Sequence, residues 1–335
     1  MNETFFTICV PSYNAVEYLP SLLQSVKNQI YSNWNIVIVD DLSTDETLNY
    51  LQNQELIPSN KIIYFQQEKR KGPFNARRKA FSLATGDYIL CIDADDELLG
   101  DNVLSELNSV ITKNNPDVVM FNITRDKTSN TRFIDYKDLS FNSNGLYDRD
   151  KILEAFLATY SLNNLASKAI KQDLFLLEEV KENFIINEDR YEFFNVLKRA
   201  KTFFLIDEPF YFYRTTESST TESKLTIQHF EQVTKIEKTI YKYALQRNIK
   251  TENELLKYLS NVDDLVLRLI RNDSKKDKKD LLRIGRDPFF KHAVENCDLN
   301  LFSPIMKLSF ELLYKEHIGR AYFLSKTRLS KRQGS

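Results

Sequence analysis

The sequence predicts an α/β fold: a mostly parallel sheet covered by helices on both faces, followed by a C-terminal helical region. Three observations predict it. Short apolar runs of strand length alternate with helix-periodic segments through the first third of the chain. Those runs are apolar throughout instead of alternating, as strands buried on both faces require. From about Leu225 the pattern is helical alone, with Ile227, Phe230, Val233, Ile236 and Ile240 at helical intervals.

Taken in order, Phe5 to Val10 reads as a buried strand and Val16 to Gln29 as a helix with Leu19, Leu22, Leu23 and Val26 on one face. Asn35 to Val39 is a second strand, ending in Asp40 and Asp41. Ser43-Thr44-Asp45-Glu46 opens the next helix, with Ser43 as N-cap and Glu46 three residues on. Lys61 to Gln66 reads as a strand, Asn75 to Leu83 as a helix and Tyr88 to Ile92 as a fourth strand. Ligands of such sheets bind outside the carboxyl ends of the strands, where Asp41 and Asp93 fall. In the middle of the chain, Val118 to Asn122 and Thr202 to Ile206 are further strand candidates.

The bulk numbers narrow the function classes. A chain of 335 residues holds one large domain with an appendage, or two domains. The formal net charge of -1 argues against a nucleic-acid binder, so no nucleic acid is expected as a partner. Cys9 and Cys91 lie in strand-like runs and Cys297 in a polar helical region, a spacing unlike a disulfide framework or a zinc site. No basic segment with a long apolar stretch opens the chain, and no apolar run approaches bilayer-spanning length. The expectation is a cytoplasmic protein.

Asp93-Ala94-Asp95-Asp96 follows the fourth strand. Residues two apart on an extended segment point the same way, so Asp93 and Asp95 converge on one site. Carboxylates are hard ligands suited to Mg²⁺ or Mn²⁺, which keep water and phosphate oxygens in their shell. The plainer alternative is an acidic loop, with Asp96 and Glu97 in the first turn of the next helix.

Three blocks carry a resemblance. Thr7-Ile8-Cys9-Val10-Pro11-Ser12-Tyr13-Asn14, Val37 to Asp45, and Ala84 to Asp96 stand in an order and spacing that resemble family 2 glycosyltransferases of the GT-A fold. The resemblance covers roughly the first 220 residues and is strongest over the blocks. It implies a bacterial, inverting, metal-dependent transferase that moves a sugar from a UDP-sugar to an acceptor hydroxyl. The acceptor class it implies is a glycan or lipid-linked glycan: surface polysaccharide, teichoic-type polymer or glycoprotein glycan. Pro11, Tyr13 and Asp41 would hold base and ribose, Arg77 the nucleotide side, and Asp93 and Ala94 the ribose or metal. Asp95 would be the principal ligand of Mn²⁺ or Mg²⁺, with Asp93 beside it. Asn187-Glu188-Asp189 matches the family's Glu-Asp pair and makes Asp189 the base. A carboxylate in a helix's first turn is stabilised in its ionised form, although Asn187 capping an acidic first turn is an ordinary alternative. Tyr211-Phe212-Tyr213-Arg214 with Ser218 and Ser219 resembles the family's tyrosine–arginine block, with Arg214 on the diphosphate under a closing loop. Lys168 matches a position near the acceptor side.

The resemblance implies residues 1–222 as the transferase domain, with 1–105 the nucleotide half and 106–222 the acceptor half, and 223–335 as the helical region. Some positions depart from the family pattern. Leu42 stands where glycine is usual, which predicts a differently shaped loop; Arg78 and Ala80 replace an asparagine and a glycine; Thr216 replaces a histidine seen in relatives. His229, His292 and His317 fall on helical segments and read as solvated or capping groups. Competing classes fit less well. A nucleotidylyltransferase needs a glycine-rich loop, and a dinucleotide oxidoreductase needs Gly-x-Gly-x-x-Gly, where this chain has Pro11-Ser12-Tyr13-Asn14. A catalytically silent relative that binds sugar nucleotide or glycan is the non-enzyme alternative. The basic residues from Lys275 to Arg286 and Lys326 to Arg332 suit peripheral contact with an anionic inner membrane face or a partner subunit, or simply a solvated face.

Overall fold

The computed structural model describes residues 3–128, 132–133, 141, 144–175, 184–215, 225–270 and 276–333. The chain divides into two compact units, Met1–Ile152 with Ser161–Glu217, and Leu153–Tyr160 with Ser218–Ser335.

The first unit is built on one sheet. Its strands are β1 (Phe6–Ser12), β2 (Trp34–Asp40), β3 (Ile62–Gln66), β4 (Tyr88–Cys91), β5 (Glu97–Leu98), β6 (Val118–Thr124), β7 (Gly145–Asp148), β8 (Lys168–Lys171) and β9 (Thr202–Phe212). They lie in the order β3-β2-β1-β4-β8-β6-β9-β5, with β7 also on β9. The expected parallel arrangement runs through β3, β2, β1 and β4. Beyond β4 the sheet is mixed: β8 is antiparallel to β4 and β6, while β6 and β9 run parallel. Among the described residues, the helices of the first half are α1 (Leu19–Lys27), α2 (Thr47–Asn53), α3 (Pro73–Leu83) and α4 (Val103–Asn114), followed by α5 (Arg149–Ala158) and α6 (Glu188–Arg199).

The strand residues alternate between two helical layers, which is why the runs are apolar throughout. Phe6, Ile8, Val10, Ile36, Ile38, Leu90 and Ile92 share one core with Leu19, Leu22, Leu23 and Val26 of α1 and with Leu104, Leu107 and Ile111 of α4. The opposite face meets α3, which buries Phe74, Ala76, Ala80 and Phe81. Gly86 sits where β1 passes so closely that an added Cβ would lie 2.5 Å from the Thr7 nitrogen, so only glycine fits.

Three local expectations are corrected. Ser43 does not cap a helix: its hydroxyl donates to Asp40, and α2 begins only at Thr47. Asp96 and Glu97 do not fill a first turn, because Glu97 enters β5 and α4 starts at Val103. Asn187 precedes α6 in the left-handed region, φ 56°, and its side chain makes no capping bond. Leu42 likewise has φ 63°. It adopts a turn that glycine takes freely, in spite of its Cβ, and Asp40 holds that turn by accepting from the Ser43 backbone at 3.0 Å.

The second unit is helical, with α7 (Ile227–Gln246), α8 (Glu252–Ile270), α9 (Asp277–Arg286), α10 (Pro288–Asn296), α11 (Pro304–Tyr314) and α12 (Ile318–Gln333). Tyr258, Leu259, Val262, Ile284, Phe290 and Phe310 are fully buried. Its buried cations Arg328 and Lys257 are paired. Arg328 meets Asp263 through two bonds of 2.5 and 2.6 Å, and Lys257 meets Glu254 at 3.0 Å. His229 is a capping group, exchanging bonds with Thr226 at the start of α7. His317 lies just before α12, not within it. No helix among the described residues is long and apolar enough to cross a membrane. Of the basic tail, Lys275 and the side chains of Lys331 and Arg332 lie outside the described residues.

Candidate active site

The carboxyl ends of β1, β2 and β4 form the floor of the site, and backbone hydrogen bonds lock them together. The Asp41 nitrogen donates to the Ser12 carbonyl at 2.8 Å, and the Ile92 nitrogen to the Cys9 carbonyl at 3.0 Å. Asn14 clamps the loops after β1 and β2: its nitrogen donates to Ser43 Oγ and its Oδ1 accepts from the Thr44 nitrogen, both at 2.8 Å. Pro11 is buried within β1 opposite Val39.

Asp41 is 3% exposed and already makes three bonds. Its Oδ1 accepts from Gln67 Nε2 and the Lys71 nitrogen, and its Oδ2 from the Gly72 nitrogen, at 2.8 to 2.9 Å. One lone pair on Oδ2 is left for a ligand. The segment 67–72 is thereby drawn over the floor, where Gly72, φ 85°, turns the chain into α3. Tyr13 is half-buried, and the Arg70 guanidinium lies over its ring at 3.9 Å.

Asp93, Ala94, Asp95 and Asp96 follow β4, but in a turn closed by the Asp96 nitrogen on the Asp93 carbonyl at 3.0 Å instead of the expected extended segment, and each has a different environment. Asp96 is the most buried, at 2% exposure. Tyr211 donates to its Oδ2 at 2.6 Å and the Arg214 nitrogen to its Oδ1 at 2.8 Å. The same Tyr211 oxygen accepts from the Asp93 nitrogen at 3.2 Å. Burial and the adjacent Asp93 push Asp96 up to about 8, against those two bonds. Asp95 is also raised, by burial and then by Asp93. Arg214 does not stand free: its Nε donates to the Asp95 carbonyl at 2.9 Å and its NH2 pairs with Glu97. Ala94 is buried beneath this loop.

Arg77, on α3, joins the two halves of the site. Its NH2 meets Asp93 at 2.8 Å, and its NH1 meets Asp189 at 2.5 Å and Glu188 at 3.5 Å. Its Nε is buried without a partner among the described residues, as is Ser12 Oγ. Burial and the carboxylates Glu188 and Asp93 push Asp189 up to about 7, although Arg77 and Lys168 pull it down. One guanidinium thus serves three carboxylates, which leaves the cluster short of positive charge.

A divalent cation fits that shortage. Among the described residues no three His, Cys, Asp or Glu side chains converge as a complete metal cage. Asp95 and Asp93 offer hard oxygens of the kind Mg²⁺ or Mn²⁺ takes, with phosphate and water completing the shell. Thr216, Ser218 and Ser219 lie outside the described residues.

The comparisons with known proteins bear on the fold and the family of this chain. Residues 7–163 match the profile of Glycosyl transferase family 2. Residues 7–163 thus resemble family 2 glycosyltransferases. Over 108 residues, 32% of this chain and 42% of the relative, it is 34% identical to "Putative teichuronic acid biosynthesis glycosyltransferase TuaG" of Bacillus subtilis. Over 111 residues, 33% of this chain and 37% of the relative, it is 33% identical to "Amylovoran biosynthesis glycosyltransferase AmsB" of Erwinia amylovora. The chain therefore spans less than half the length of these curated relatives. The S. aureus TarS 1-349 structure in complex with UDP-GlcNAc superposes with a TM-score of 0.70 at 16% identity, over 99% of this chain and 92% of that one. That likeness is one of fold: the sheet unit has the GT-A fold, and a helical region follows it in the chain.

Sequence reasoning passed over several residues at this site. Asp96 is the buried anchor of the loop, and Tyr211 is the post it hangs on; Gln67, Lys71, Arg70 and Glu97 occupy other bonding positions. Tyr211 lay within the tyrosine–arginine block, which was a signal of sorts. Nothing in a run of three aspartates around one alanine marks which of them turns inward.

Proposed function

We propose that this chain is an inverting, metal-dependent glycosyltransferase that moves a sugar from a UDP-sugar to an acceptor hydroxyl during the assembly of a cell-surface polysaccharide or teichoic-type polymer. One observation carries the proposal: Arg77 ties Asp93, from the carboxyl end of β4, to Asp189, at the start of α6. A donor-side carboxylate and a candidate base thus stand one guanidinium apart. The polymer class follows the relatives' names, teichuronic acid for TuaG and amylovoran for AmsB. The uridine donor follows the UDP-GlcNAc complex of TarS.

In this reading the pocket at Pro11, Tyr13 and Asp41 holds the base and ribose. Asp41 accepts the imide N–H through its remaining Oδ2 lone pair, and Arg70 leaves the Tyr13 ring or is sandwiched as the base stacks. Asp189 takes the proton of the acceptor hydroxyl. That oxygen bonds to the anomeric carbon as the bond to the diphosphate breaks, inverting the centre and releasing UDP. Asp95 and Asp93 would hold a divalent cation, which would neutralise charge on the departing diphosphate. Arg214, freed from Glu97, adds a second positive charge there. Residues 1–222 form the transferase domain in this reading, and the helical region that follows meets an anionic membrane surface or a partner subunit.

The test is nucleotide release from a panel of sugar nucleotides with Mn²⁺ or Mg²⁺, in wild type, Asp95→Ala and Asp189→Asn. Metal-dependent release from one donor, lost in Asp95→Ala and strongly reduced in Asp189→Asn, supports the reading. Donor binding without turnover across an acceptor panel would instead favour a catalytically silent binding module. No metal-dependent donor binding at all would end the proposal.

A further inference from the structure

Lys168 opens β8 with no exposed surface. A buried ammonium is costly unless other groups compensate it. Its Nζ donates to the Asn164 carbonyl at 2.5 Å, lies 3.5 Å from Asn164 Oδ1, and sits 4.5 Å from the centre of the Phe193 ring. Among the described residues no carboxylate lies within ion-pair distance of it. Phe193 is four residues after Asp189 on α6, so the two share one helix face. The ammonium therefore lies along the face that carries Asp189. The segment before β8 also grips the start of that helix, since Asn163 Oδ1 accepts from buried Arg190 at 2.9 Å.

The charges around Asp189 come from four elements: Arg77 on α3, Asp93 after β4, Glu188 on α6 itself and Lys168 on β8. Arg77 is divided among three carboxylates, so it does not neutralise Asp189 alone. Burial pushes Lys168 down to about 7, and Asp189 is the group that opposes this. Each of the two charges favours the other.

We propose that Lys168 is a positioning residue for Asp189: its buried ammonium is the neighbouring positive charge that favours this carboxylate in its ionised form and orients it for proton transfer. The inference rests on the reading of Asp189 as the base. It gives a buried lysine, with no substrate contact assigned, a role in the timing of the reaction.

The test compares Lys168→Gln, which still donates to the Asn164 carbonyl, with Lys168→Arg, which keeps the charge. The readout is the pH dependence of kcat for metal-dependent UDP release from the UDP-sugar the panel selects. Loss of the charge is expected to move the acidic limb upward by about one pH unit, a tenfold change in the ionised fraction below the limb. KM for the donor and UDP affinity stay as in wild type, and Lys168→Arg restores the limb. A purely structural role would lower the yield of folded protein or raise KM without moving the limb. A second measurement needs no Lys168 variant: in the unliganded protein, the Lys168 titration followed by NMR is expected to fall in Asp189→Asn. An unmoved limb together with an unmoved Lys168 titration overturns the proposal. If Asp189→Asn keeps wild-type release and limb, the base assignment is what fails. A shifted Lys168 titration would then still report the charge coupling by itself.

Discussion

The helical unit and the candidate site in the sheet unit hold their buried charges in opposite ways. In the helical unit, Arg328 and Asp263 close on each other with both nitrogens and both oxygens, and Lys257 meets Glu254 while donating to the Phe156 and Leu157 carbonyls. In the sheet unit, Arg77 is spread over Asp93, Asp189 and Glu188, Asp95 and Asp96 crowd against Asp93, and Lys168 lies buried with no carboxylate in ion-pair reach among the described residues. Closed pairs hold a fold together and ask for nothing more. A crowd of like charges raises pKa values and retains capacity for a cation, a phosphate or a proton, as functional sites do.

Breaking a member of each group separates the two behaviours. Asp189→Asn is expected to cut nucleotide release by about 10²–10⁴-fold while leaving the melting of the helical unit unchanged, as paired kinetics and circular dichroism would show. Arg328→Met reverses the pattern: stranding Asp263 costs about 3–5 kcal/mol of stability, and turnover per folded molecule is retained. Loss of turnover in folded Arg328→Met would undo the contrast.

Tyr211→Phe removes the donor to buried Asp96 and is expected to cost about 1–3 kcal/mol in denaturant unfolding, together with weaker metal-dependent UDP binding. Acidity sharpens the same point. The folded-state pKa of Asp96 is raised above its unfolded value, so its contribution to stability is complete below the ordinary carboxylate range and is lost as pH rises towards about 8. The unliganded protein should therefore lose stability between pH 5 and pH 7, and Asp96→Asn should flatten that slope. A slope unchanged in Asp96→Asn would place the titration elsewhere. The smallest expected effect is at Leu42, where φ is 63°. Leu42→Gly relieves strain of roughly 1–2 kcal/mol but loosens the unfolded chain by roughly 0.5–1 kcal/mol, for a net gain of roughly 0–1.5 kcal/mol in thermal unfolding.

Much of the first half was legible because its signals are local. Strands buried on both faces need unbroken apolar runs, and Phe6, Ile8, Val10, Ile36 and Ile38 supply them to one core. The parallel order of β1, β2, β3 and β4 follows from the helices between them. The mixed order beyond β4 was not legible, since β8 inserts between β4 and β6 from far along the chain. The turn at Leu42 was not legible for a related reason. Residue type predicts the cost of a turn, but Asp40 and Ser43 decide whether it is made.

Composition and periodicity by themselves determined the α/β class, the helical region and the position of carboxylates at strand ends, because these depend on neighbours within a few residues. Which carboxylate turns inward, which arginine is shared and which lysine is buried were decided only by tertiary structure. Asp93 and Asp189 lie 96 positions apart in the numbering and meet through Arg77. The charge that a side chain feels is a sum over space, and the chain's order does not contain that sum until it has folded.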